Sequence, residues 1–174
     1  MVPVTIWLIV TDQFFLAFIA FLVAGLSDAV DGFIAKRFDL VTELGAYLDP
    51  IADKLLLVGI YVSLGMLQHL PAWLVILVAF RDFLIVGGML LAWLIGRPIE
   101  VHPLLISKIN TTLQILLAGL ALGVLAFGFD EGWSVVWGSA VVGFSTVASG
   151  AAYIRQWLHH MSNGNHVAQN DKSD

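Results

Sequence analysis

The sequence predicts an all-α integral membrane protein with six transmembrane helices. Three observations carry that reading. Of the 174 residues, 59% are hydrophobic and 12% charged, where an ordinary soluble domain carries about 25% charged residues. Apolar runs follow one another along almost the whole chain, most of them near membrane-spanning length. Lys and Arg gather at alternate ends of those runs.

The first run, Val2–Val10, is about half a span and is broken by Thr11-Asp12-Gln13. It reads as the remaining part of a truncated first helix. No signal peptide is expected, because the start lacks a charged region and a small-residue cleavage site. Phe14–Phe33, Leu44–Leu67, Ala72–Ile95, Leu104–Phe127 and Trp133–Tyr153 follow, each long enough to cross a core of ~30 Å at ~1.5 Å per residue. Turn and helix-stop residues separate them at Gln68-His69-Leu70-Pro71, Gly96-Arg97-Pro98 and Asp130-Glu131-Gly132. From Ser162 to Asp174 the chain is polar without an apolar period. A disordered cytoplasmic tail over 162–174 is therefore expected beyond a membrane domain over 1–161.

Lys36 and Arg37 follow the second run, Arg97 and Lys108 flank the connection from fourth to fifth, and Arg155 ends the sixth. The connections at 11–13, 68–71 and 128–132 carry no cation. That asymmetry puts both termini in the cytoplasm. Trp73, Trp133 and Trp157 fall near run ends, as interfacial aromatics do. There is no cysteine, which excludes disulfides and thiolate chemistry. The net charge is −5 and no basic stripe is present, so nucleic acid is not an expected partner.

The chemistry is concentrated in Asp28-Ala-Val-Asp31-Gly32-Phe-Ile-Ala35-Lys36, eight further residues, and Gly45-Ala-Tyr-Leu-Asp49-Pro-Ile-Ala-Asp53. Asp28 and Asp31 are spaced i,i+3 at the cytoplasmic end of one run; Asp49 and Asp53 are spaced i,i+4 at the start of the next. Each spacing puts a pair on one helix face, and the short connection makes the two helices antiparallel neighbours. Four carboxylates at a membrane boundary repel one another and resist desolvation. An oxygen-only donor set selects a hard cation such as Mg²⁺ or Mn²⁺. A two-ion site would also hold a pyrophosphate, and a less committed Asp would accept a proton from an attacking hydroxyl. Two readings compete. The acids could pair structurally with Lys36, Arg37, Lys54 or Arg81. They could also form the ion site of an ion-coupled membrane transporter, although a pathway would spread polar groups across membrane depth.

These residues resemble the signature of the CDP-alcohol phosphatidyltransferase family, Asp-x₂-Asp-Gly-x₂-Ala-Arg-x₈-Gly-x₃-Asp-x₃-Asp. All spacings are kept, and Lys36 stands where the family usually has Arg, with Arg37 just after. The resemblance implies the family's six-helix fold, a homodimer, and a site facing the cytoplasm from a bacterial inner membrane. It also implies transfer of a phosphatidyl group from CDP-diacylglycerol with release of CMP. By the same resemblance Asp28, Asp31, Asp49 and Asp53 hold the Mg²⁺ or Mn²⁺ ions, expected to be two. Asp53 doubles as the general base, and Gly32, Lys36 and Thr42 contact the CDP moiety. Arg37, Arg81 and Lys108 are candidate phosphate or acceptor contacts.

Two branches of the family bear on the acceptor. Phosphatidylglycerophosphate synthases bind glycerol 3-phosphate, a dianionic monoester that calls for extra cations. That branch typically has Arg-Glu in the fourth helix, a further Arg eight residues later, and Gly-Lys-x-Lys-Thr opening the fifth. Here the positions read Arg81-Asp82, Met89 and Ser107-Lys108-Ile-Asn110-Thr111-Thr-Leu-Gln114, which resembles the cardiolipin synthase branch. Phosphatidylglycerol is the preferred acceptor and glycerol 3-phosphate the alternative. Arg81 and Asp82 could instead be a buried ion pair, Lys108 a positive-inside anchor, and Ser107, Thr111 and Gln114 a stripe bonding neighbouring helices. The histidines lie in connections or the tail and are expected to be solvated.

Overall fold

The six apolar runs fold as six helices. The computed structural model describes the backbone of residues 2–38, 43–94, 105–129 and 132–170, and side chains over 2–27, 30, 54–87, 105–129 and 132–155. In chain order the helices are α1 (Val2–Val10), α2 (Phe14–Phe38), α3 (Glu43–Met66), α4 (Ala72–Leu94), α5 (Leu105–Ala126) and α6 (Gly132–Asn170). No strand occurs among the described residues. Leu105–Ala126 and Gly132–Arg155, of 22 and 24 residues, are long and apolar enough to cross a membrane. At ~1.5 Å per residue they measure ~33 and ~36 Å. Within the described residues Phe14–Ser27 and Lys54–Met66 form shorter apolar stretches.

Helix α6 continues without a break to Asn170, through the polar residues from Ser162 onward. A helix already nucleated over its apolar portion adds each further residue at little cost, even in polar sequence.

Helix α1 packs on α2 and α3, α2 on α5, α3 on α4 and α5, and α6 on α4 and α5. Ile60, Leu64, Leu74, Ala118, Leu122 and Val142 are buried where these faces meet. The outward faces are apolar too: Phe83 and Phe144 are each 80% exposed and Met66 77%. A water-soluble monomer rarely presents apolar side chains on this scale, whereas a lipid-facing surface requires them.

Close approach depends on small residues. Ala17 and Ala24 of α2 are buried, and α2 lays Phe21 and Phe18 over Gly119 and Gly123 of α5. A Cβ at those glycines would come within 3.2 and 3.4 Å of the rings. At the α4–α6 contact a Cβ on Gly143 would be 2.6 Å from the Trp73 indole. This is the small-residue packing typical of helices that associate in lipid.

Helices α1, α3 and α5 end in the same way. Asp12, Gln68 and Gly128 have φ of 57°, 66° and 66°, the left-handed conformation of a helix C′ position. At each end two backbone bonds close the turn: Gln13 N–H to Leu8 C=O and Asp12 N–H to Ile9 C=O; His69 to Leu64 and Gln68 to Gly65; Phe129 to Val124 and Gly128 to Leu125. These are Schellman motifs, which satisfy carbonyls that a helix end would otherwise leave bare. All three lie at the end of the bundle whose connections lack cations. Aromatic contacts tie the turns together: Phe14 meets the His69 ring edge-on at 5.3 Å, and Phe127 contacts Phe15, Phe18 and Phe129. His69, expected to be solvated, is half-buried in this contact.

Candidate active site and the buried polar layer

Helix α2 runs on to Phe38, past the apolar run, so Asp28, Asp31, Gly32, Lys36 and Arg37 all belong to one helix. Asp49 and Asp53 fall within the first three turns of α3. The helical spacings expected from sequence are therefore the observed ones, with each Asp pair on a single face. Pro50 lies between Asp49 and Asp53. Lacking an N–H, it leaves the Ala46 carbonyl without its helical donor. The side chains of these residues, and any approach of one pair to the other, lie outside the described residues, as does Thr42 altogether. Among the described side chains no group of three or more metal-ligating residues occurs. The donor set itself fits a divalent cation: four carboxylates on two consecutive helices offer only hard oxygen ligands.

One residue beyond Asp53, the side chains are described and the geometry is specific. Lys54 Nζ donates to Asp82 Oδ1 of α4 at 3.0 Å, and the same oxygen accepts from Arg81 Nη1 at 2.6 Å. The other terminal nitrogen of Arg81, Nη2, donates to Ser107 Oγ of α5 at 2.6 Å and Ser149 Oγ of α6 at 2.8 Å. Arg81 and Asp82 are 3% and 5% exposed, and Arg81 Nε has no partner. Five side chains thus join four helices through one carboxylate and one guanidinium. Burial strengthens such bonds, because water does not compete for the donors.

The layer continues along the α5–α6 contact. Asn110 Oδ1 accepts from Ser145 Oγ at 2.6 Å and Thr146 Oγ1 at 2.9 Å. Tyr61 of α3 donates its hydroxyl to the Gln114 backbone carbonyl at 3.0 Å. Both polar atoms of the Gln114 side chain are buried without a partner, as are Asn110 Nδ2 and Ser139 Oγ.

Of the acceptor candidates, Arg81 commits both terminal nitrogens to protein groups, as in the ion-pair reading. Lys108 is exposed in the first turns of α5. Side chains of Arg37 and Met89 lie outside the described residues. Ser107 and Asn110 bond neighbouring helices, whereas Thr111 Oγ1 turns back to the Ser107 carbonyl at 3.1 Å. Sequence reasoning missed the Lys54–Asp82 pair, the hub at Asn110 and the α6 hydroxyls. A signal for the last was present: Ser139, Thr146 and Ser149 recur at helical spacing in an apolar helix, and such hydroxyls bond across helix pairs.

Residues 1–149 match the model of a protein family described as CDP-alcohol phosphatidyltransferase. Among similar curated proteins, a cardiolipin synthase (CMP-forming)/mitochondrial hydrolase fusion protein of Schizosaccharomyces pombe is 34% identical over 166 residues, 87% of this chain and 28% of that one. The CDP-diacylglycerol–glycerol-3-phosphate 3-phosphatidyltransferase of Bacillus subtilis is 36% identical over 146 residues, 80% of this chain and 72% of its own length. Human cardiolipin synthase (CMP-forming) is 30% identical over 169 residues, covering 87% and 56%. The chain thus spans between 28% and 72% of the length of these three relatives.

Proposed function

The chain belongs to the CDP-alcohol phosphatidyltransferase family, and from that premise we propose that it transfers a phosphatidyl group from CDP-diacylglycerol to a glycerol-type acceptor, releasing CMP. The observation that carries the reading is the signature from Asp28 to Asp53, with every spacing kept and lying inside the matched residues 1–149. The transfer balances as a substitution at phosphorus. An acceptor hydroxyl oxygen bonds to the phosphatidyl phosphorus, the bond from that phosphorus to the CMP oxygen breaks, and the hydroxyl proton passes to Asp53.

Each residue has a role in this scheme. Asp28, Asp31 and Asp49 hold divalent cations, with Asp53 as both ligand and base. Bound Mg²⁺ or Mn²⁺, two ions on the resemblance, supplies the charge neutralisation that lets the pyrophosphate be cleaved. Gly32 admits the nucleotide close to the α2 backbone, Lys36 and Arg37 offer charge to its phosphates, and Thr42 offers a hydroxyl. Six membrane-crossing helices, a cytoplasm-facing site in a bacterial inner membrane and a homodimer complete the proposal.

For the acceptor we favour phosphatidylglycerol, which makes the product cardiolipin. Position 110 supports this reading. Where the glycerol 3-phosphate branch carries an additional Lys, this chain has Asn110, fully buried and bonded to Ser145 and Thr146. A diester acceptor needs fewer cations than a dianionic monoester. Glycerol 3-phosphate is the second reading, favoured by the Bacillus relative at 36% identity.

One assay tests both levels. Purified protein with CDP-diacylglycerol should release CMP only with Mg²⁺ or Mn²⁺ present, and a chelator should abolish release. Asp53→Asn should lower turnover by about a hundredfold or more, in the range of a lost general base. Phosphatidylglycerol and glycerol 3-phosphate are then offered separately. Cardiolipin is the expected product; phosphatidylglycerophosphate alone would overturn the acceptor assignment, and no CMP from either would overturn the reaction.

A further inference from the structure

We propose that Lys54 is a positioning residue for the transfer, acting through Asp82 and Arg81 to hold the aspartate-bearing turns of α3 in register with α4, α5 and α6. The inference rests on the proposed role of Asp49 and Asp53. Lys54 directly follows Asp53 on α3, yet its ammonium is turned to α4 and bonded to Asp82 Oδ1 at 3.0 Å. Its side chain is 28% exposed, whereas those of Asp82 and Arg81 are 6% and 3% exposed. The anchor is thus more deeply buried than the group it holds. Arg81 carries the linkage on to Ser107 and Ser149, so rotation of α3 about its axis at Lys54 would break a chain of bonds into three other helices.

Such rotation is what a carboxylate site tolerates least. Successive helical residues differ by about 100° around the axis, so holding the α3 backbone at Lys54 also fixes the angular position of residue 53 on the helix. A misplacement of about 1 Å at a reacting group costs about a hundredfold in rate. Helix α3 packs against α1, α4 and α5. Leu56, Leu57 and Ile60 of α3 are buried, so the ion pair lies next to the helix's packed core.

The test compares wild type, Lys54→Met and Lys54→Arg in kcat, in KM for CDP-diacylglycerol, and in Mn²⁺ affinity by paramagnetic resonance without substrate. Lys54→Met should lower kcat about tenfold or more, with KM within about threefold. It should also weaken Mn²⁺ binding about tenfold, as loss of a group supporting metal ligands does. Lys54→Arg, which keeps the charge, should restore most of both. Wild-type kcat and Mn²⁺ affinity in Lys54→Met would overturn the proposal, as would a loss confined to KM or no rescue by arginine. If Lys54→Met does not fold, Asp82→Glu reads the same linkage, because it keeps all charges and moves the carboxylate by one methylene. A lower kcat supports positioning, and an unchanged kcat overturns it. An active wild type with indifferent variants removes this inference alone, while a wild type that releases no CMP removes the reaction reading.

Discussion

Arg81 and Asp82 are the buried charged residues among the described ones, and their stability consequences are unequal. Asp82 serves two cations with one oxygen. Removing it leaves Lys54 and Arg81 facing each other without an anion, whereas removing Arg81 still leaves a neutral Lys54–Asp82 pair. Breaking a buried pair from one side costs about 3–5 kcal/mol. Asp82→Leu should therefore lower the thermal midpoint in detergent clearly more than Arg81→Met. Equal midpoints would mean that the carboxylate is not the centre of the cluster. From sequence the adjacent charges were legible as an ion pair or an acceptor contact. The third member was not, because Lys54 lies 28 positions away on another helix.

At the scale of the element, the three Schellman turns make a graded test of backbone conformation. Gly128 adopts φ of 66° without steric penalty, while Gln68 holds the same angle with a Cβ, at about 1–2 kcal/mol. Gly128→Val should destabilise by about that amount. Gln68→Gly should be neutral or stabilising by up to about 1 kcal/mol, since glycine gives part of the gain back in the unfolded chain. Thermal midpoints of the two variants check this, and a destabilising Gln68→Gly would show that its side chain matters more than its backbone. The breaks themselves were legible from Pro71 and the polar triplets. The capping geometry at Asp12 and Gln68 was not, because neither residue announces a left-handed angle as glycine does.

For the whole molecule the central matter is orientation. The cation-free connections coincide with the end where all three Schellman turns lie, and Arg155 marks the opposite end of the apolar stretch of α6. The absence of cysteine allows a direct test. Phe129→Cys, at a site 68% exposed, should react with a membrane-impermeant maleimide added outside intact cells. Arg155→Cys should react only after the membrane is opened. The reverse pattern would invert the topology and place the aspartates on the outer face.

The sequence by itself determined the helical class, the boundaries of most helices and the position of the aspartate signature. All three are written in local properties: run length, scarcity of charge and residue spacing. It also put the four aspartates in two pairs, since i,i+3 and i,i+4 spacings become shared faces once a segment is helical. Only the tertiary structure decided that Lys54, Arg81, Asp82, Ser107 and Ser149 form one buried layer, and that Asn110 is a packing hub to α6. Those partners lie on different helices. Which of them meet depends on how each helix is rotated and pressed against its neighbours, and no local pattern records that rotation.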